Sequence, residues 1–386
     1  MADITKYTWE QLKAEFSFVA DVFEQPAAID SFVKFYTGKE GREMLRGLRQ
    51  EWTEAQYDRV YMAGMGSSSF AGHLAWMIFT EHGIPCNLID AGELLYYGLN
   101  IENPQTPLVN HKTLFILISQ SGESAEVAKL VEEITSSRGK AGVWGVTNTE
   151  GSSLAKKAGR ALFLKAGEER SVTAKTYCNT LLMMYILPRV IMASSDADAG
   201  EFLDTFLDEA RDLIADLEHL LSKQQDLGDK IVAFFGKDTK HVEIIARGTS
   251  MATAQQAALN IKETDKISAE AISGGQFRHG PIEIVTKDFR SMILSSDDDT
   301  RDLAEDIAWN IAHRWGGGKV LYITNRKSER LEGEPRVLPV VHGISNPFLA
   351  TIMEIAVIQL FMIKLAVANN IGPGVFKYTS KVTKEG

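Results

Sequence analysis

Short, uninterrupted apolar runs alternate along this chain with longer stretches of helical periodicity. RVYMAGMG (59–66), TLFILISQS (113–121), GVWGVTN (142–148) and ALFLKAG (161–167) are rich in aliphatic residues and have no consistent polar face. Strands of this kind, separated by helices, predict a parallel sheet covered on both faces.

The pattern then repeats as VEIIARGTS (242–250), RSMILSSDD (290–298), KVLYITN (319–325) and PRVLPVV (335–341). Gly248 follows Gly66 by 182 residues and Asn325 follows Asn148 by 177, near-constant offsets that argue for one unit used twice. The expected division is an N-terminal helical segment (1–44), a first α/β domain (45–215), a second (216–368) and a C-terminal tail (369–386). A charged helical stretch near residues 196–231 joins the halves by packing rather than by a loose linker. FLATIMEIAVIQLFMIKLAVA (348–368) approaches membrane-spanning length but carries Glu354, Gln359 and Lys364 at helical spacing, so it reads as a buried core helix.

Composition narrows the function. The 386 residues carry a net charge of −10, which argues against diffuse attraction to nucleic acid or an anionic membrane. Any anionic ligand must be gripped locally. The N-terminus lacks a cationic head followed by an apolar core, and Cys86 and Cys178 are the two cysteines, so the expectation is a reducing cytoplasm with no required disulfide. The histidines show no zinc spacing with these thiols, and no metal or cofactor is expected.

The tips of the strands are polar where a parallel sheet binds ligands, beyond its carboxyl edge. In LFILISQSGES (114–124), Ser119, Gln120, Ser121 and Ser124 supply donors, Gly122 permits a tight turn, and a helical pattern follows. A second tip, AGMGSSSFAGHLA (63–75), places Gly66, Ser67 and Ser68 before another helix. Two such loops in one half suit one phosphate, although serine before a helix also serves as a plain cap. The equivalent tips of the second half include Asp297, Asp298 and Asp299, which would repel a phosphate; a solvated loop is the simpler reading than a metal site.

SQSGES, GMGSSSFAG, GEERSVTAKTY (167–177) and ALNIKETDKISAEAISGGQFRHGPIEIV together resemble tandem sugar isomerase (SIS) domains. More narrowly, they are similar to the isomerase half of glucosamine-6-phosphate synthase and to fructosamine-6-phosphate deglycases and glucosamine-6-phosphate deaminases. The resemblance implies a flavodoxin-like, three-layer fold in each domain. It implies that Gly66, Ser67, Ser68, Ser119, Gln120, Ser121 and Ser124 hold a sugar phosphate, and that Val172 lines the sugar site. It also places a catalytic carboxylate at Glu263 in NIKET and a histidine at His279 in HGP, the latter acting across a homodimer interface.

That pair makes chemical sense. Moving a carbonyl between C1 and C2 needs one base to carry a proton between adjacent carbons, and ring opening needs a second group exchanging a proton near neutrality. Read alone, Glu263 fits a solvated helix beside Lys262 and Lys266, and His279 fits a turn residue. Glu270 matches another recurrent family position, and Gly274 and Gly275 permit close backbone approach.

Three departures matter. Asn260 stands where the synthase has a lysine, Ser380 aligns with its Schiff-base lysine with Lys381 one place beyond, and Ala2 replaces the amidotransferase cysteine. The expectation is therefore hydrolytic release of an amine rather than glutamine-dependent synthesis, with the deglycase ahead of the deaminase and Lys381 or Arg278 offering a cation to the substrate. A noncatalytic phosphosugar sensor is the reading from another class; the first 45 residues show no basic recognition helix.

Overall fold

A computed structural model describes residues 3–99, 111–137, 139, 141–223, 225–378 and 380–381. Ala2 and the last five residues of the expected tail lie outside the described residues. Two compact units are present. Among the described residues, one comprises those of Ala27–Glu169 and Lys175–Ala210 with Ser380 and Lys381; the other comprises those of Met1–Pro26, Arg170–Ala174 and Arg211–Tyr378.

The first unit is built on a five-stranded parallel sheet of β1 (Arg59–Gly64), β2 (Cys86–Asp90), β3 (Thr113–Ile118), β4 (Gly142–Thr147) and β5 (Arg160–Phe163). Its order is β2-β1-β3-β4-β5, the flavodoxin-like arrangement. All six residues of β3 are buried, as a central strand covered on both faces requires. The helices Ser67–Glu81 and Ala125–Ser136 follow β1 and β3 directly, so the start of each lies at the carboxyl edge of the sheet.

The second unit repeats the plan with β6 (His241–Ala246), β7 (Ser268–Ser273), β8 (Arg290–Ser295), β9 (Lys319–Thr324) and β10 (Val337–Val341), ordered β10-β9-β8-β6-β7. Relative to chain order this is the same 2-1-3-4-5 topology. Two strands do not show in the apolar pattern, β2 and β7. Both are edge strands, and their sequences CNLID and SAEAIS carry polar side chains on the face a central strand would bury.

The helix Pro347–Ala368 runs through the core of the second unit, and every residue from Phe348 to Val367 except Lys364 is buried. Its length and apolarity follow from that position. Among the described residues it is the one helix long and apolar enough to cross a membrane. The helix Asp196–Lys223 carries the charged stretch expected to join the halves.

Candidate functional site

In a 2-1-3-4-5 sheet the strand order reverses between the first and third strands, and the crevice beyond their carboxyl ends is the natural ligand position. The two serine-rich loops lie there, one after β1 and one after β3. Gly64 allows them to meet: a Cβ at that position would lie 2.8 Å from the Ile118 carbonyl oxygen and 3.1 Å from Ser68 Cβ. Gly66, with φ +50°, turns the chain into the helix that opens with Ser67 and Ser68.

The β3 loop is tightly built. Gly122 has φ +65°, and a Cβ there would fall 2.2 Å from Ser152 Oγ, so only glycine fits. Its N–H donates to Ser119 Oγ at 3.1 Å, and Ser119 Oγ lies 3.0 Å from Ser124 Oγ. Ser124 occupies the N-cap of the helix Ala125–Ser136 without capping it, and no side-chain cap is present on the helix Ser67–Glu81 either. Plain capping therefore does not account for these serines. Two helix N-termini, each a positive dipole end, stand beside hydroxyls already drawn together, an arrangement suited to a phosphate monoester. Glu123, the acid in this loop, has its two oxygens engaged by the Ser153 N–H and hydroxyl, each at 2.8 Å. Ser119 is buried while Ser67, Ser68, Gln120, Ser121 and Ser124 are half-buried, so the crevice is lined but open.

In the second unit, Glu263 is half-buried near the end of the helix Ser250–Asp265. One turn before it, Asn260 donates to the Thr173 carbonyl at 2.9 Å and accepts from Gln256 at 2.7 Å. The amide thereby holds the segment containing Val172 against the helix that bears Glu263. Val172 itself is buried, its side chain closed to solvent. Three residues after Glu263, Lys266 adopts a left-handed conformation, and its ammonium donates to the Glu263 and Val375 carbonyls. Neighbouring Asp265 is fully buried, and burial raises its carboxyl well above the usual range.

His279 is exposed on the turn after the short helix Gly274–Phe277, with its N–H on the Gln276 carbonyl. Arg278 is exposed beside Arg247, whose pKa is lowered by burial and then by Arg278. Gly274 and Gly275 make room for Arg247: a Cβ at Gly274 would lie 3.0 Å from its Nε. Glu270 is exposed within β7, three residues before the tip and in register with Glu243.

Lys381 pairs at 2.6 Å with Glu169, a buried carboxylate that also accepts from the Thr176 N–H and hydroxyl at 3.1 and 2.6 Å. The tail is thus pinned at the start of the helix Lys175–Ile191. Glu169 lies within a quoted motif, yet nothing in its neighbours marks it as the tail's anchor.

The tips of the second sheet look different. Asp297 accepts from the Asp299 N–H, and Asp298 pairs with Arg301, so this run is a turn leading into the helix Arg301–His313. Beneath it, Ser250 and Ser296 both donate to Glu354 Oε1, at 2.8 and 2.6 Å, and Ser296 Oγ lies 3.0 Å from His342 Nε2. All four residues are buried. Burial pushes the Glu354 carboxyl up to about 7 against the pull of its hydroxyl donors, and holds His342 down to about 4. The signal for this cluster is the one carboxylate of a mostly apolar helix, since a buried acid requires partners.

The SIS domain family matches residues 55–188 and 237–368. A glutamine–fructose-6-phosphate aminotransferase (isomerizing) from Bacillus thuringiensis subsp. konkukian is 27% identical over 354 residues, covering 91% of this chain and 55% of the relative. The chain therefore spans about half the length of that curated relative. Among solved structures, the C-terminal domain of glucosamine-fructose-6-phosphate aminotransferase from Francisella tularensis has a TM-score of 0.74 at 22% identity, covering 95% of this chain and 98% of that one. Glucosamine-6-phosphate deaminase from Thermotoga maritima has a TM-score of 0.64 at 18% identity, covering 95% and 99%. These two similarities show the shared fold.

Proposed function

Because the chain belongs to the SIS domain family, we propose that it is a phosphosugar-processing enzyme that deglycates 6-phosphofructosyl amines. The observation that carries the phosphosugar reading is the pairing of Ser119 with Ser124 at an uncapped helix N-terminus, on the switch point of a 2-1-3-4-5 sheet. Hydroxyls and backbone N–H groups at that place bind a dianion without any lysine or arginine.

In this reading Glu263 removes a proton from C1 of the open-chain fructosamine while O2 gains one, giving an enaminol, and returns the proton to C2 as the amine nitrogen loses its own. The product is an imine at C1; water adds there and the amine leaves, yielding glucose 6-phosphate. A half-buried carboxylate is suited to carry that proton. His279 opens the ring, and its exposure leaves it available to a second copy of the chain in a homodimer. Asn260 supports hydrolysis over transfer, because the side chain in the lysine's place is neutral and already bonded to Gln256 and Thr173. Lys381 serves as a tail anchor on Glu169 rather than as a covalent or substrate-binding group.

A second reading, the isomerising deaminase, uses the same proton shuttle with ammonia leaving from C2. The fold shared with a protein described as a glucosamine-6-phosphate deaminase keeps it in view. Product analysis separates the two. Glucose 6-phosphate and free amino acid from a panel of 6-phosphofructosyl amino acids are the expected products. Ammonia and fructose 6-phosphate from glucosamine 6-phosphate would replace the deglycase by the deaminase. No turnover of either, with binding intact, would favour a sensor. Run at falling protein concentration, the same assay should lose specific activity as the homodimer dissociates; constant activity in a demonstrated monomer would remove His279's role across the interface.

A further inference from the structure

Two strand tips of the second domain keep a serine at the position equivalent to one in the first domain, and there both serines are buried. The duplication aligns Gly66 with Gly248, which places Ser250 opposite Ser68 at the start of the equivalent helix. The six-residue strands Thr113–Ile118 and Arg290–Ser295 align in the same way, which places Ser296 opposite Ser119. In the second domain these two hydroxyls converge on one oxygen, Glu354 Oε1, at 2.8 and 2.6 Å. We propose that Glu354 is a built-in occupant of the second domain's anion cradle, its carboxyl oxygen taking the place that a phosphate oxygen takes between Ser68 and Ser119 in the first.

This rests on reading the first domain's loops as a phosphate cradle, and it refines that reading by naming the two hydroxyls that share one oxygen. Burial separates the copies. Ser250, Ser296 and Glu354 are each 0–1% exposed; in the first domain Ser119 is also buried, at 3%, but Ser68 is half-buried and open to a ligand. An external ligand needs an open crevice, whereas a carboxyl group that the fold itself carries in does not. Removing the Glu354 side chain beyond Cβ creates a second oxyanion site of small volume, suited to acetate or inorganic phosphate.

The test uses the full chain carrying Ser119→Ala, which weakens the first cradle, with and without Glu354→Ala or Glu354→Gln. Thermal unfolding is followed against sodium acetate and, separately, inorganic phosphate, with sodium chloride matching ionic strength. The expected result is a saturable rise in Tm of at least about 2 °C for the variant with Glu354→Ala. The Glu354→Gln variant, whose amide still fills the cradle, and Ser119→Ala alone should lack that rise. If Glu354→Ala unfolds in plain buffer, acetate should restore folding. A folded Glu354→Ala protein that responds no more than Glu354→Gln, or an unfolded one that acetate does not recover, would overturn the proposal. Failure of the first-domain reading shows separately, as a protein with native Ser119 that binds no phosphosugar, and leaves the Glu354 comparison intact.

Discussion

Glu263→Gln is expected to lower kcat by about 10²–10⁴-fold while leaving KM within a few-fold, because it removes a proton carrier and keeps the shape of the side chain. Steady-state kinetics on whichever substrate the product analysis identifies, together with loss of solvent-deuterium incorporation at the sugar carbons, checks this. The substitution should not disturb the fold. Lys266 contacts the backbone carbonyl of Glu263, and Asn260 holds the 170–174 segment independently. An equal loss of activity from a rise in KM alone would instead make Glu263 a binding residue.

Glu354 gives the second large effect, on stability rather than turnover. Its carboxyl is raised from an ordinary 4.5 to about 7 by burial. Below pH 4.5 it is neutral in both folded and unfolded chains. Above that, the unfolded chain releases a proton that the folded chain retains, so this group's contribution falls as pH rises and levels off above about 7. Between pH 5 and 8 the loss is about 2–3 kcal/mol. Buried His342 acts in the opposite sense, losing stability as pH falls from its unfolded value toward about 4, and Asp265 acts in the same sense as Glu354. The difference between native protein and Glu354→Gln removes Asp265 from the comparison and reports Glu354 together with its neighbour His342, bridged by Ser296. Denaturant unfolding should show that difference shifting toward the variant by about 2–3 kcal/mol between pH 5 and 8; a constant difference would mean that the carboxyl is not held neutral by burial.

Eight of the ten strands were legible as apolar runs, the six inner ones because both of their faces are covered and the edge strands β5 and β10 because RALF and VLPVV are still mostly apolar. The duplication was legible from spacing alone. The edge strands β2 and β7 escaped because CNLID and SAEAIS mix polar and apolar positions.

The serine-rich loops were legible as glycine and hydroxyl clusters at strand tips. What the one-dimensional pattern left open was whether the serines cap helices, and the engagement of Ser124 with Ser119 instead of its own helix resolves that locally. Contacts between residues far apart in the chain were out of reach: Lys381 with Glu169, Asn260 with Thr173, and Glu354 with Ser250 and Ser296. Each of these satisfies a polar group at a site defined only by folding.

The most direct test of the account is calorimetric binding of fructose 6-phosphate and of fructose to the native protein and to Ser119→Ala. A phosphate cradle at Ser119 predicts saturable binding of the phosphorylated sugar, no measurable binding of fructose, and a roughly 10-fold or greater loss on Ser119→Ala, as for a hydrogen bond to a charged group. Equal binding of both sugars, or an unchanged affinity in a folded Ser119→Ala protein, would contradict the phosphate cradle on which the functional reading stands.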